Sequence, residues 1–343
     1  MSPAFLNLIE TVLNGLMAGV MYSLVALGFV LIFKASGIFN FAQGVMALFA
    51  ALTLVGLQTG QVPFSHLINA IFGTNIHTWG GGLPDILAVL GTMLVMIALA
   101  FLVQKLVLKH LVNQEPIILF MATIGLAFFL EGLGDLMWGS DVKVLDVGVP
   151  SGASFWLEDV TREWAVEGSD YYGMYIDKLD VVAAIVAVLL VAALTLFSQY
   201  TKMGRALRAV ADDHQAALSV GISLHTIWLI VWSIAGFVAL VAGIMWGAKS
   251  GVQFSLSLIA LKALPVLILG GFTSIPGAIV GGLIIGVGEK LAEFYVGDIF
   301  FWMLGIDPSV FKAIENWFAY MLALAFLLFR PQGLFGERII ERV

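Results

Sequence analysis

The sequence predicts an all-α polytopic membrane protein of about nine transmembrane helices with broken or re-entrant segments, the N-terminus outside and the C-terminus cytoplasmic. Three observations predict it. Of 343 residues, 61% are hydrophobic and only 11% charged, with a mean hydropathy of +1.02; soluble domains carry about 25% charged and about 45–50% apolar residues. Several stretches of 18 or more residues hold few charges or none, the length that crosses a bilayer. Nine of the 16 Lys and Arg follow odd-numbered spans and fall on one side when the spans are counted from an external N-terminus. No room is left for a large soluble domain, and residues 1–343 read as a single transmembrane domain.

The first span, 6–33, has no Lys or Arg ahead of its apolar run and carries Glu10 inside it. A secretory signal needs a positive start, so this span is expected to be retained. The second, 38–57, opens on "GIFNFAQG" (37–44). Spans three and four are 85–108 and 117–138, the latter with Glu131 and Asp135 on one face near its outer end. The fifth and sixth, 180–200 and 224–248, bracket a polar segment, and the last three are 257–271, 276–296 and 312–330.

Lys34, Lys105, Lys109, Lys202, Arg205, Arg208, Arg330, Arg338 and Arg342 all follow odd-numbered spans and so share the cytoplasmic side. The opposite side receives an extracytoplasmic insert, 139–180, with nine acids against Lys143, Arg162 and Lys178. Its Trp156, Trp164 and "YYGMY" (171–175) suit a small lid or an interfacial belt. An echo joins "LIFKASGIFNFAQGVMALFAAL" (31–52) to "LILGGFTSIPGAIVGGLIIGVG" (267–288): apolar run, Gly-containing break, apolar run. It reads either as a parallel repeat or as two Gly-rich hairpins that look alike.

The cytoplasmic segment "TKMGRALRAVADDHQAALSVGI" (201–222) reads as two short helices broken at Asp212–Asp213. Arg205 and Arg208 stand one turn apart, and Arg208 can pair with Asp212. Asp212 or Asp213 can N-cap the second helix, and Gly221 can end it. Ala216, Ala217 and Val220 give that helix a small apolar face, a shape that can seat in a groove of another protein. A juxtamembrane helix held at the headgroups by its arginines is the other reading.

Polar groups inside spans need a reason. Asn40 and Gln43, flanked by Phe39 and Phe41, sit in the first break, and Thr273 and Ser274 sit in the second. They read as a path whose polar groups hydrogen-bond a passing solute, since unwound backbone at membrane depth survives only in protein or along a cavity. Interhelical glue is the alternative. Lys262 and Glu289 would neutralise each other as a buried charge pair; a proton relay is the sharper reading of Lys262, Glu289 and Lys290.

Several chemistries are excluded. There are no cysteines, hence no thiolate metal site, thiol redox chemistry or disulfide. "GIMWGAKS" (243–250) is near a phosphate-binding loop but has Ala248 where Gly is needed, and no strand precedes it. The five histidines form no i,i+4 pair that could clamp haem or metal. No nucleophile–base arrangement stands out. Neither cofactor nor metal is expected, and nothing points to nucleic acid.

The segment 201–222 resembles the ATPase-coupling segment of branched-chain amino-acid permeases, subunits of ABC importers. The resemblance rests on Gly204, Arg205, Ala206, Arg208, Ala209, Asp213, Ala216, Ala217, Gly221 and Ile222, with His214 in place of the usual Pro. It extends to "NGLMAGVMYSLVALGFVLIFKASGIFNFAQG" (14–44), "LKALPVLILGGFTSIPGAIVGGLIIGVGE" (261–289) and "RPQGLFG" (330–336), nearly the whole chain. Gln43 replaces the usual His, Val45 the usual acid, Pro265 enters the third block, and the 139–180 insert is longer and more acidic. These departures bear on the substrate and leave the architecture alone.

The resemblance implies a multi-pass subunit of the bacterial plasma (inner) membrane that hydrolyses nothing itself. Gly204, Arg205, Arg208, Asp212, Asp213, Ala216, Ala217 and Gly221 would couple it to two cytoplasmic ATPases. A second homologous permease (or a second copy), an external solute-binding protein and the lipid bilayer complete its partners. The solutes implied are branched-chain or related amino acids, amides or urea. A stand-alone ion-coupled transporter or channel is the alternative; it calls for an acidic or cationic midplane site, where this chain offers Asn and Gln. An integral membrane enzyme would need a catalytic constellation that the sequence lacks.

Overall fold

The computed structural model describes residues 2–111, 114–150, 152, 154–164, 172–212, 214–305 and 314–336. Among the described residues the chain is helical, with no strand beyond two isolated β-bridges, Gln61 with Thr78 and Lys143 with Val252. In order, the helices are α1 (Pro3–Ser36), α2 (Gln43–Thr59), α3 (Ser65–Phe72), α4 (Asp85–Leu106), α5 (Pro116–Trp138), α6 (Phe155–Arg162) and α7 (Lys178–Tyr200). There follow α8 (Lys202–Asp212), α9 (His214–Ser219), α10 (Leu224–Ser250), α11 (Ile259–Gly270), α12 (Ile275–Leu304) and α13 (Ile314–Phe329).

Among the described residues six helices, α1, α4, α5, α7, α10 and α12, are long and apolar enough to cross a membrane. The other three expected spans are shorter apolar helices: α2, α13, and α11 with the 3₁₀ turn Phe254–Leu258 ahead of it. The shortening has local causes. Gly37 ends α1 at φ +67° and the chain does not re-enter helix until Gln43, so the expected 38–57 span loses its first turn to a break. Gly271, at φ +100°, ends α11 after 12 residues. Left-handed backbone is open to glycine and closes a helix by freeing its last carbonyls for capping.

The chain divides into two compact units. One, here the middle unit, comprises Leu27–Val147 and Leu190–Ala260. Its centre is α2, buried from Gln43 through Gly56 and packed by α10, α5, α4 and the 3₁₀ turn. Small residues let the backbones close in: a Cβ at Gly243 on α10 would collide with Ala47 O, and one at Gly44 with Ser257 O. Gly56 lies flat against the Trp138 ring of α5. An all-apolar helix of this kind belongs inside protein.

The other, here the terminal unit, comprises Met1–Ala26, Gly148–Leu189 and Leu261–Val343. Its seam is Gly15, Gly19 and Ser23 of α1 against Ala278, Gly282 and Gly286 of α12, small residues four apart on both helices. The Ser23 hydroxyl, 2.8 Å from Gly19 O and 3.1 Å from Ala278 O, shares its proton between the two helices. In a membrane, where apolar surface gives no drive to associate, such close packing and hydrogen bonding hold helices together.

The 139–180 segment is parted between the units at residues 147 and 148. In the middle unit Lys143 pairs its backbone with Val252 and donates its ammonium to Gln61 Oε1 at 2.7 Å; burial lowers its pKa below the usual lysine value. In the terminal unit Met174 and Ile176 are buried, and Met174 N donates to Thr161 Oγ1 on α6 at 2.7 Å. Asp177 accepts from Gly152 N and Leu179 N, fixing the start of α7. Of the expected aromatic cluster, Trp164, Tyr172 and Tyr175 are exposed, while Tyr171 and the Trp156 side chain lie outside the described residues.

Candidate functional site

The break at 37–42 is built by one amide pair and one hydroxyl. Asn40 Oδ1 accepts from Ala42 N at 3.2 Å, and its amide nitrogen lies 3.4 Å from Gln43 Oε1. Gln43 in turn donates to Ala235 O on α10 at 3.4 Å. From α5, the Thr123 hydroxyl accepts from Phe41 N at 3.1 Å and donates toward Phe39 O at 3.0 Å and Phe120 O at 2.9 Å. Phe41 N, Ala42 N and Phe39 O of the unwound stretch thus find side-chain partners. Phe39 stacks on Phe29 at 5.1 Å between ring centres, and Phe39 and Phe41 both pack against Phe120, at 5.9 and 6.2 Å.

Asn40 is 0% exposed and Gln43 1%, so both amides are enclosed by protein, and Gln43 bridges to α10. Phe39 and Phe41 are half-buried. Gln43 occupies a slot that Gly28 leaves open: a Cβ at position 28 would overlap its amide. Thr123, Phe120, Gly28 and Ala235 escaped the sequence reading. A lone hydroxyl in an apolar span is a weak signal, and Ala235 contributes only a carbonyl, which no side-chain pattern reports.

The second break, 271–274, belongs to the terminal unit, so the candidate path residues are divided between units. Ser274 is the N-cap of α12, accepting from Gly277 N at 3.0 Å, and Thr273 beside it is half-buried. The "RPQGLFG" segment returns over this break. Leu334 N donates to Leu269 O at 2.8 Å and Phe335 N to Gly270 O at 3.1 Å, capping carbonyls that the end of α11 leaves open. Gly333, at φ +77°, and Gly336 pass directly against Gly271.

The 201–222 segment forms α8 and α9. Thr201 caps α8, accepting from Gly204 N at 2.9 Å. Gly204 rests on Phe197 O and Ser198 O, so that α8 folds back on the last turn of α7 with no room for a Cβ. Leu207 and Val210 are buried beneath α8, which packs on α10; Arg205 is exposed and Arg208 half-buried. At the end of α9, Ile222 N donates to Ala217 O and Gly221 N to Leu218 O, both at 3.0 Å, with Gly221 at φ +85°. These are the paired bonds of a glycine-ended helix.

The expected Ala216–Ala217–Val220 face is corrected by the burial pattern. Ala217 is turned inward at 2% exposure, whereas Val220 is 74% exposed and Leu218 stands out beside it. The glycine-ended turn rotates the chain after Ser219, and Val220 leaves the helical face that Ala217 occupies. Asp213 and the side chains of Asp212 and Ala216 lie outside the described residues, as does the Arg208–Asp212 pairing.

Lys262 on α11 and Glu289 on α12 meet at 3.4 Å, the carboxylate side chain 3% exposed and the lysine 36%. The ammonium also lies 5.6 Å from the centre of the Tyr22 ring, and Tyr320 on α13 donates to Leu261 O at 2.6 Å next door. Lys290 pairs with Glu293 at 2.6 Å. Among the described residues no group of three or more His, Asp or Glu could hold a metal.

The family model described as "Branched-chain amino acid transport system / permease component" matches residues 11–330. The chain is 28% identical to the high-affinity branched-chain amino acid transport system permease protein LivH of Escherichia coli K12, over the whole of both chains. It is 27% identical to the corresponding protein BraD of Pseudomonas aeruginosa, over 99% of this chain and all of that one. Among solved structures it is similar to PsaBC from Streptococcus pneumoniae in complex with Fab, at 12% identity and a TM-score of 0.43, covering 94% of this chain and 92% of that one.

Proposed function

The chain belongs to the branched-chain amino acid transport permease family, and we propose that it is the membrane subunit of an ABC importer for such an amino acid or a related amino acid, amide or urea. It is a multi-pass protein of the plasma membrane. The observation that carries the importer reading is the α8–α9 elbow: a cationic, knob-bearing element between two membrane-length helices, clamped to both. One of two separate cytoplasmic ATPases docks there, and the other docks on the partner permease. A homologous permease or a second copy completes the passage, and an external solute-binding protein delivers the solute. The N-terminus is external, the C-terminus cytoplasmic, and the short helices α2, α11 and α13 complete nine crossings.

Coupling follows the packing of the middle unit. Closure of the ATPases displaces the elbow, and Gly204 passes that displacement to α7 without slack. The Ser223 cap, accepting from Thr226 N at 3.4 Å, and the packing of α8 pass it to α10. On α10, Ala235 O holds Gln43, so movement of α10 strains the amide joint that keeps the 37–42 break closed. Asn40 and Gln43 with Phe39 and Phe41, and Thr273 and Ser274 at the other break, are the groups that border the path when the joints open. Lys262 and Glu289 are a structural pair that brings opposite charge together inside the bundle.

Reconstitution tests the reading. Vesicles holding this chain, its partner permease and the ATPases should accumulate leucine only with internal ATP and external binding protein. Uptake driven by an ion gradient through this chain alone would replace the importer with the stand-alone transporter.

A further inference from the structure

We infer that the connection 61–84, with α3 at its centre, lies in the headgroup–acyl boundary of one membrane leaflet and fixes the ends of α2, α4 and α5 at that depth. In the proposed orientation this is the outer leaflet. The first observation is composition. Residues 61–84 contain no Asp, Glu, Lys or Arg. A water-exposed segment of that length would carry about six charges at the usual quarter share. The 139–180 segment, assigned to the same side, carries twelve.

The second observation is what faces outward. Leu67 and Ile71, one turn apart on α3, are exposed together with Phe72, Ile76 and Trp79. At its turn the polar atoms bond one another. Asn69 donates to Ile76 O at 3.0 Å and accepts from Ile76 N and the Thr74 hydroxyl, both at 2.9 Å. A turn closed by internal hydrogen bonds of this kind loses less on leaving water, while its apolar side chains gain. A Trp at such a level is the usual interfacial anchor.

The third observation is depth. Phe64 N donates to Met137 O at 3.0 Å and the Gln61 amide to Trp138 O at 2.9 Å, tying the loop to the last turn of α5. Leu83 N donates to Leu57 O at 2.9 Å and Trp79 N to Gly60 O at 3.0 Å, tying it to the end of α2, and α4 starts at once with Asp85, which accepts from Gln58 at 2.8 Å. Phe64 is the sole non-glycine at positive φ among the described residues, a strained conformation for a bulky side chain, and it turns the chain that leaves α2 into α3. The loop is thus held level with the ends of membrane-crossing helices. Its apolar surface runs on into exposed Ile86, Leu87 and Leu90 of α4 and Leu136 of α5, the surface of membrane-length helices. That continuity selects lipid over a protein partner.

The absence of native cysteine allows a direct test. Ile71→Cys, Leu67→Cys and Glu163→Cys would each be nitroxide-labelled in the full transporter, reconstituted in phosphatidylethanolamine–phosphatidylglycerol vesicles. Depth would be read from collisions with oxygen and a water-soluble nickel chelate, calibrated with spin-labelled lipids. Labels at 71 and 67 should lie roughly 5–10 Å below the phosphates, whereas the label at 163 should read as aqueous. Nickel access at 71 and 67 equal to that at 163 would overturn the inference. So would shielding of both labels from both relaxers, with or without the binding protein present, because that outcome means a protein cover.

Discussion

Gln43 and Gly28 form a lock in which one residue is defined by the other. The glutamine amide fills the space that a Cβ at position 28 would need. Gly28→Ala should therefore overpack the joint and destabilise the purified transporter by about 1–3 kcal/mol. Adding Gln43→Ala should restore part of that loss, a positive coupling readable in a thermal-unfolding double-mutant cycle. Additive losses would show that the two side chains do not compete. The Lys262–Glu289 pair gives a second asymmetric expectation. Lys262 is 36% exposed and can turn its ammonium outward, whereas the Glu289 side chain, at 3%, stays enclosed. Removing one partner of a buried pair costs about 3–5 kcal/mol when the other charge is trapped. Lys262→Met should thus unfold the transporter at clearly lower temperature than Glu289→Gln, and the reverse order would refute the trapped-carboxylate account.

At the level of elements, helix ends do the positioning. Thr201 and Gly204 fold α8 onto α7, Ser223 starts α10, Ser274 starts α12, and the 330–336 backbone closes α11. The elbow shows how the turn chemistry sets an outward knob. Gly221 ends α9 so that Ala217 packs inside and Leu218 and Val220 project. If these two side chains enter a groove on the ATPase, Leu218→Asp with Val220→Asp should abolish ATPase co-purification and uptake. Both side chains are exposed, so the variant should reach the membrane at the normal level. Retained ATPase binding would move the docking surface to the arginine side of α8.

For the whole molecule, the charge distribution gives a test of the proposed external partner. Glu158, Asp159 and Glu163 lie on or beside α6, Asp159 and Glu163 exposed and Glu158 half-buried, and Glu167 lies outside the described residues. An acidic surface of this kind attracts a basic rim chiefly by raising the association rate, an effect that salt screens over about 8 Å at physiological strength. Charge reversal at these four positions should slow docking of the solute-binding protein and flatten its salt dependence in stopped-flow measurements. An unchanged rate would leave the segment as a spacer.

Membrane residence, an all-helical chain of long apolar segments and the two helices of the elbow were legible in the sequence. Each depends on local quantities: run length, charge content, and a Gly or Asp at a helix end. The family was legible because four short blocks keep their order along the chain. What the sequence could not separate was a span facing lipid from one enclosed by protein, since both are apolar all round. Only the packing shows α2 buried from Gln43 to Gly56 while α4 and α5 expose Leu90, Leu94, Phe128 and Phe129. Nor could it place the partners of the 37–42 break, since Thr123, Gly28 and Ala235 carry no pattern linking them to it. Burial and hydrogen-bond partners across distant segments are decided by how helices dock, and so only the tertiary structure decides them.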